Sequence, residues 1–305
     1  MLNADVKRFL SGELLIIISA ALWGAISLFT RPLNDFGFSS AEITFVRSVL
    51  SVVFVGAYLL IKDRRAFGVS LRDLPLLSFL GIGCFMAVIL IYTLSIEKNG
   101  SSLAVMLEYT APVWTIAVSA LIFKEKITVF KIVALFGVLG GCAMLSFGGE
   151  TTLSVQGVAI GLLSGVFLAL YGIVGKLARK KYSAETITFY MFLFSSVGVL
   201  FIAPAWNIPS KIIAAPESIL YFVGLSFLST AVAYVLYSAG IKSVPAGKAS
   251  MLSTVEILVA AIVGAVIFND GIGFVGYIGM ALTVSSLLFF ELSEYIFGYK
   301  KEKVL

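Results

Sequence analysis

Long apolar runs separated by short polar segments make up nearly the whole chain. A helix needs about 20 apolar residues to cross a bilayer, and ten runs come close to that length. The connections are short, so the pattern predicts an all-α integral membrane protein without a separate soluble domain. The predicted spans cover residues 13–30, 41–61, 74–95, 101–123, 128–147, 156–176, 185–205, 218–240, 246–268 and 272–291.

Composition supports a membrane protein and argues against an enzyme. The 305 residues are 60% hydrophobic and 13% charged, with a mean hydropathy of +1.05, whereas soluble domains carry about 25% charged residues. The chain has no histidine and no phosphate loop of the Walker type, so histidine chemistry and ATP hydrolysis lack their residues. We therefore predict no catalytic residues, no metal and no cofactor.

The basic residues fall on alternate sides of the predicted bundle. With a cytoplasmic N-terminus, eighteen of the 22 lysines and arginines lie in or beside cytoplasmic segments, and only Arg31, Lys98 and Lys211 lie in outside loops. The positive-inside rule then predicts cytoplasmic termini and a cytoplasmic tail at 292–305. Because the cations are spread over loops, the net charge of +5 does not indicate binding to nucleic acid.

The two halves of the chain share short strings at an offset of 144 or 145 residues. The strings are ITF at 43–45 and 187–189, and ALIF at 120–123 against AVIF at 265–268. They divide the chain into a first repeat, 1–147, and a second repeat, 156–291. Five spans per repeat is an odd number, so the halves must be inserted in opposite orientations, as in many secondary transporters. The alternative is that the shared strings reflect only the similar composition of all apolar helices, without a repeat.

Two glutamates lie inside predicted spans, Glu108 in the fourth and Glu256 in the ninth. A charge at the membrane centre costs roughly 2.5–3.5 kcal/mol or more, so such residues usually face protein or water. Helical spacing places Glu108 on one face with Thr115, and Glu256 on one face with Ser253. One interpretation is that these acids take up protons or balance a cationic group of the substrate. The alternative is a structural role, with the glutamates held by hydroxyl groups or by Arg47.

Further candidates for substrate binding are a buried cation and several aromatic residues. Arg47 lies nearly two turns into the second span, where it could bind a substrate carboxylate or pair with Glu108 as a fixed strut. Polar aromatic side chains inside spans could line a cavity, although packing between helices is the alternative. Together with Ser253, they complete the predicted substrate-binding set: Trp23, Tyr92, Tyr109, Tyr171 and Tyr237.

Glycines recur at four-residue spacing in two predicted spans. Gly137 and Gly141 form such a pair in the fifth span, and Gly157, Gly161 and Gly165 follow the same spacing in the sixth. Small residues at this spacing let helices approach closely. We interpret them as internal packing and favour a monomer, with a homodimer face as the alternative.

Three strings carry a resemblance to a known family. They are FVR at 45–47, LEYTAPV at 107–113 and STVE at 253–256, and with the ten spans and the inverted halves they resemble the EamA family of the drug/metabolite transporter superfamily. The resemblance covers essentially the whole chain. It implies outward movement of metabolites, often amino acids, across the bacterial inner membrane, and a cavity lined by spans 1, 3, 4, 6, 8 and 9. Family members often have a proline after the acid of the ninth span, where this chain has Ile257.

The sequence therefore predicts a secondary transporter embedded in the lipid bilayer. We expect it to export a small-molecule substrate, an amino acid or similar zwitterion in the first place, by alternating access between the two halves. Coupling to protons through Glu108 or Glu256 is a hypothesis that rests on their depth. An exporter of cationic drugs and a non-transporting membrane scaffold are the alternatives.

Overall fold

Helix makes up 85% of the computed structural model. The structure describes residues 4–99, 101–146, 154–269 and 273–293, and no β-strand occurs in these ranges. Three short 3-10 turns and two π-helical segments accompany the α-helices. The α-helices are α1 (Ala4–Gly24), α2 (Ser27–Asp35), α3 (Ser40–Lys62), α4 (Leu74–Ser78), α5 (Ala87–Asn99), α6 (Ser101–Glu108), α7 (Ala111–Ile122), α8 (Val129–Ser146), α9 (Val155–Ala178), α10 (Ala184–Leu200), α11 (Ile208–Ala214), α12 (Ser218–Ser226), α13 (Ala233–Gly240), α14 (Ala246–Ser253), α15 (Val255–Ile267) and α16 (Phe274–Ser293).

Seven helical segments of the described chain are long and apolar enough to cross a membrane, and eight if one bent pair counts as a span. The segments that correspond to predicted spans 128–147 and 272–291 are shorter apolar helices, within α8 and α16. The structure is therefore that of an all-α membrane protein with seven or eight candidate spans, and the count of ten remains a prediction. Residues 147 and 294–305, including most of the predicted tail, lie outside the described residues.

The bent pair departs from the prediction of a continuous span at 185–205. Helix α10 ends at Leu200, and the segment from Ala205 to Ala214 runs at 93° to it. Pro204 has no N–H to donate to the carbonyl of Leu200, and it disfavours helical geometry in the residue before it, so the helix cannot continue. A hydropathy pattern does not register this turn, because the residues on both sides of it are apolar.

Helices from the two halves of the chain pack in corresponding pairs. Helix α3 packs on α10 and α8 on α16, while α1 packs on α13 and α15 just as α9 packs on α5, α6 and α7. In the α8–α16 pair a Cβ on Gly141 would lie only 2.6 Å from the carbonyl oxygen of Gly279. Gly137 likewise packs on Ser286 of α16, so both α8 glycines serve packing within the chain.

Besides the break between α1 and α2 at Ala25 and Ile26, two of the long apolar segments of the described chain are interrupted near their middles. Helix α6 ends and α7 begins beside Pro112, which has no N–H to donate. Helices α14 and α15 are separated at Thr254, whose N–H donates to the carbonyl of Met251, three residues back, at 3.1 Å. This second break forms although Ile257 stands where the family often has proline, so a proline is not needed for it.

Two further segments contain π-helical turns, at Phe79–Met86 and Phe227–Val232. Such turns are rare and often occur at functional sites, because they shift the side chains that follow relative to a regular helix. The first precedes α5 and the second precedes α13, so each half of the described chain has one π-helical segment.

Glycines let the helices approach at the level of the two interruptions. A Cβ on Gly24 of α1 would lie 2.5 Å from the carbonyl oxygen of Glu256, and one on Gly165 of α9 would lie 2.9 Å from that of Glu108. Both distances are shorter than those that Cβ atoms normally adopt, so only glycine fits without a shift of the backbone. Helix α1 is thereby held against α15, and α9 against α6.

Glu125, in the loop between α7 and α8, contacts several other segments of the chain. Its carboxylate accepts hydrogen bonds from the N–H groups of Ala246 at 2.9 Å and Gly247 at 3.3 Å, the first residues of α14. It also accepts from the Ser119 hydroxyl at 3.2 Å and from Lys176 Nζ at 3.2 Å. A carboxylate at a helix N-terminus is stabilised by the free N–H groups and by the helix dipole. Glu125 therefore ties the first half of the chain to α9 and α14 in the second half.

A buried ion pair also joins the two halves of the chain. Lys248 Nζ in α14 lies 2.5 Å from the carboxylate of Glu13 in α1, and the two side chains are 2% and 9% exposed. The ammonium group also lies 5.9 Å from the centre of the Phe290 ring. The sequence pattern groups Lys248 with the cations of cytoplasmic segments, whereas its side chain is buried in the bundle.

We expect Gly165→Ala to destabilise the protein. The new methyl group must displace backbone of α6, and overpacking of this kind costs typically 1–3 kcal/mol. The measurement is the thermal midpoint of the purified protein in detergent, followed by intrinsic fluorescence. Gly140→Ala is the matched control, because its Cβ would meet only Leu282 Cδ2, at an ordinary 3.6 Å. Equal midpoints for the two variants would contradict the close approach of α9 and α6.

We expect Glu125→Gln to lower the free energy of unfolding by roughly 1.5–3 kcal/mol at pH 7, because hydrogen bonds to a charged group are lost. Burial acts to raise the pKa of Glu125, but the N–H groups of Ala246 and Gly247 and the charge of Lys176 outweigh it and hold the pKa below the ordinary 4.5. The native state therefore gains stability from Glu125 above about pH 4.5 and loses it as the pH falls through the lowered pKa.

Thermal midpoints of wild type and Glu125→Gln, measured from pH 7 down to pH 3.5, test whether this stability is lost at low pH. The gap between them should narrow in the acid range. Glu217→Gln, at an exposed position, is the control and should follow wild type at every pH. If the difference in thermal midpoint stays constant or widens towards low pH, the charged Glu125 carboxylate does not stabilise the native state in this way.

Candidate functional site

A cavity of about 120 Å³ lies where the interrupted helices meet. A water molecule occupies about 30 Å³ in the liquid, so the space corresponds to about four waters. Residues from both halves of the chain line it. Seven of the nine predicted substrate-binding residues are among them: Trp23, Glu108, Tyr109, Tyr171, Tyr237, Ser253 and Glu256.

The two intramembrane glutamates face this shared cavity rather than lipid. Glu108 is the last residue of α6 and Glu256 the second residue of α15, so each lies at a helix interruption. Their carboxylates are close enough to interact electrostatically, and the Tyr109 hydroxyl is within hydrogen-bonding range of Glu256. Tyr92 does not line the cavity, but it lies near enough to both carboxylates to sense their charge.

Aromatic rings form one wall of the cavity. The Trp23 ring lies 4.9 Å from that of Tyr234 and 5.2 Å from that of Tyr237, and Tyr171 stacks on Tyr237 at 5.4 Å. Burial of Trp23 leaves its Nε1 without a hydrogen-bond partner among the described residues. The Tyr237 hydroxyl is within hydrogen-bonding range of Ser253. The wall therefore combines apolar ring faces with polar groups that could orient a ligand.

Tyr234 lines the cavity but is absent from the set chosen on sequence grounds. It precedes Tyr237 by three residues, so helical spacing places both rings on one face, and this signal could have identified it. Ser250 and Thr115 also line the cavity and are joined by a hydrogen bond of 3.2 Å between their hydroxyl oxygens. They connect α14 to α7 at the cavity wall.

Arg47 lies behind the aromatic wall and does not line the cavity. Its side chain is buried, with the guanidinium carbon 5.2 Å from the centre of the Phe85 ring, and it is within hydrogen-bonding range of Tyr234. Among the acids, Glu256 interacts electrostatically with Arg47. No described carboxylate lies within 4 Å of Arg47, so the fixed strut with Glu108 is not seen.

The described part of the chain holds no cluster of three or more cysteine, aspartate or glutamate side chains that could bind a metal ion. Cys84 and Cys142 are buried and free. What the cavity offers a ligand is therefore two carboxylates, several hydroxyl groups and aromatic rings.

Comparison with known proteins places this architecture in a family. The model of the EamA-like transporter family matches the chain twice, at residues 10–147 and 155–292. An uncharacterized transporter of Archaeoglobus fulgidus is 31% identical over 91% of this chain and 95% of its own length. The uncharacterized inner membrane transporter YicL of Salmonella typhimurium is 24% identical over 93% of this chain and 96% of its own.

A solved crystal structure has the same fold. It superposes with a TM-score of 0.76, covering 92% of this chain and 96% of that chain, at 16% sequence identity. The family matches extend over nearly all of the chain, in agreement with the resemblance of its FVR, LEYTAPV and STVE strings. On these grounds the protein is a membrane transporter that belongs to the EamA-like transporter family.

Proposed function

We propose that this transporter exports a small zwitterionic metabolite, in the first place an amino acid, by alternating access. The observation that carries the proposal is the cavity in which Glu108, Glu256 and the aromatic wall come together. Sites for drug-sized ligands usually have volumes of about 300–1,000 Å³. A cavity of about 120 Å³ is more suitable for a small metabolite than for a bulky drug.

The cavity offers complementary groups for both ends of a zwitterion. An ammonium group would be attracted by Glu108 and Glu256 and by the faces of the aromatic rings. A carboxylate would be favoured by the N-terminal ends of α7 and α15, which begin at the cavity, because half-helix N-termini carry positive partial charge. Arg47 adds positive potential from behind Tyr234.

We further propose that the two halves are inverted repeats of five spans each, with α8 and α16 as the fifth and tenth spans. The paired helix packing, the corresponding interruptions and the two family matches support this arrangement. The backbone adds a further correspondence: Lys124 after α7 and Asn269 after α15, 145 residues apart, both adopt a φ of 55°. Such an angle is uncommon outside glycine, so its occurrence at corresponding positions supports a repeat.

Alternating access requires that the ends of the bundle open in turn. Glu125 and the Glu13–Lys248 pair hold the halves together at one end. A second contact between the halves joins α11 to α3. Lys211 Nζ lies 2.6 Å from the carboxylate of Glu42, which also accepts a hydrogen bond from the N–H of Ser39 at the start of α3. The distribution of basic residues favours a cytoplasmic location for the Glu125 end and for both termini, in a bacterial inner membrane.

Proton coupling through the two glutamates is part of the proposal. Neither carboxylate has a described cation within 4 Å, although both are enclosed among membrane-spanning helices. An isolated buried charge is costly, and protonation or binding of a cationic group removes that cost. Exchange of a proton for a substrate ammonium group at this pair would link the two fluxes.

Export of cationic drugs is the second candidate, because both acids line the cavity whereas Arg47 does not. A thermal-shift screen of the purified protein against amino acids, nucleobases and organic amines separates the two, since a ligand stabilises the state that binds it. Stabilisation by amino acids favours the first candidate, and stabilisation by amines alone favours the second. Flux of the ligand into sealed liposomes would reject a non-transporting scaffold.

We expect Glu108→Gln and Glu256→Gln to weaken binding of the zwitterion about tenfold to a hundredfold each, because a charged hydrogen bond to the ammonium group is lost. The double variant should lose transport driven by a pH gradient in proteoliposomes. Glu217→Gln removes an exposed acid and should transport like wild type. If the double variant keeps its full response to the pH gradient, these carboxylates do not couple protons.

We expect Tyr237→Leu to weaken binding of the same ligand about fivefold to thirtyfold. It removes a ring face from the cavity wall, and such a face contributes about 1–2 kcal/mol towards a desolvated cation. Isothermal titration of the purified variant measures the change. Tyr277→Leu, on a ring that is 58% exposed on the outer surface of α16, is the control. Unchanged affinity in Tyr237→Leu would place the ligand elsewhere.

A further inference from the structure

A second and larger recess, of about 720 Å³, lies at the Glu125 end of the bundle, outside the cavity. It is formed by the loop between α9 and α10 together with the last turns of α13. We call it the basic cleft, because five cations line it against one acid. These residues are Lys176, Arg179, Lys180, Lys181, Lys242 and Glu185.

Three of the charged residues that line the basic cleft form ion pairs with residues outside it. Lys181 Nζ lies 2.7 Å from Asp73, and Lys176 Nζ lies 3.2 Å from Glu125. The one acid of the cleft, Glu185, is 3.3 Å from Lys62, which projects from α3. These pairs leave no negative charge in the cleft to balance the remaining cations.

Arg179, Lys180 and Lys242 are the cations that remain. In the described ranges no carboxylate lies within 4 Å of any of them. The Arg179 guanidinium donates to the carbonyls of Ser238, at 2.8 Å, and of Tyr182, both neutral acceptors. Burial lowers the pKa of Arg179, and the charge of Glu185 opposes this only in part. A half-buried cation that the protein does not neutralise is a site for an external anion.

The place of the basic cleft indicates which anion it meets. Its loop directly follows α9 and precedes α10, both of which have the composition of membrane-spanning segments, so it lies at the depth of the lipid headgroups. The positive-inside rule accounts for cations anywhere on this face, but not for the convergence of two elements on one recess. Basic pockets between membrane helices are known to bind anionic headgroups.

We propose that the basic cleft binds the phosphate headgroup of an anionic phospholipid, with Arg179, Lys180 and Lys242 as its cationic contacts. Arg179 is already fixed by two carbonyl groups, so it supplies a preorganised charge. The exposed Lys180 follows α9 and the exposed Lys242 follows α13, so the two lysines would contact the phosphate from two different elements of the recess. A bound lipid phosphate would contact cations of both the α9–α10 loop and the end of α13. It would thus link these two elements, in addition to the hydrogen bond from Arg179 to the carbonyl of Ser238.

The test uses the full chain, purified in detergent and stripped of lipid. Its thermal midpoint is titrated with dioleoyl-phosphatidylglycerol, with dioleoyl-phosphatidylcholine and with inorganic phosphate, and bound lipid is counted by native mass spectrometry. We expect phosphatidylglycerol to raise the midpoint and phosphatidylcholine to have little effect. The double variant Lys180→Gln/Lys242→Gln should need about thirtyfold more phosphatidylglycerol for the same shift, about fivefold per lysine.

Lys124→Gln/Lys126→Gln is the matched control, with the same change in charge at two exposed residues that do not line the basic cleft. It should stay within about twofold of wild type, because exposed charges outside the cleft are screened by salt. The proposal is wrong if both pairs weaken binding equally, if phosphatidylglycerol neither binds nor stabilises, or if phosphatidylcholine acts equally well. Full stabilisation by inorganic phosphate alone would assign the cleft to a soluble anion instead.

Discussion

Two carboxylates enclosed among membrane-spanning helices, those of Glu108 and Glu256, impose the main constraint on the centre of this protein. Carboxylates are costly in hydrocarbon, and so are the backbone groups that a helix interruption leaves unpaired. In this structure the carboxylates and the helix interruptions lie together at one cavity between the halves, away from hydrocarbon. Gly24 and Gly165 make this possible by letting α1 and α9 press directly on the interrupted helices.

Much of the helical layout follows from the lengths of the apolar runs, because a run of about 20 residues has few alternatives to a spanning helix. The prediction failed where the geometry depends on a single residue. Pro204 ends α10 early and turns the chain by 93°, although the residues around it are as apolar as those of a span. The interruption at Thr254 was not predicted either, since it lacks the proline by which a break is usually recognised.

Seven of the nine residues predicted to bind substrate line the cavity. Helical spacing placed both acids on faces with small and polar neighbours, and the aromatic residues were chosen for their positions inside spans. Helical spacing indicates which way a side chain points, but not how far it lies from the cavity. Arg47 and Tyr92 therefore point inward and still lie behind the lining, while Tyr234 reaches it. Contacts between distant parts of the chain were not predictable from spacing. The partner of Glu13 is such a case, because no local pattern connects it with Lys248.

That ion pair has a consequence for how the chain is made. Glu13 enters the membrane with the first helix, whereas Lys248 is synthesised more than two hundred residues later. At about 5–20 residues per second the delay is roughly 10–50 s. During that time the Glu13 carboxylate lacks the partner that it has in the folded protein. The contact between α1 and α14 therefore forms late, after most of the chain has been synthesised.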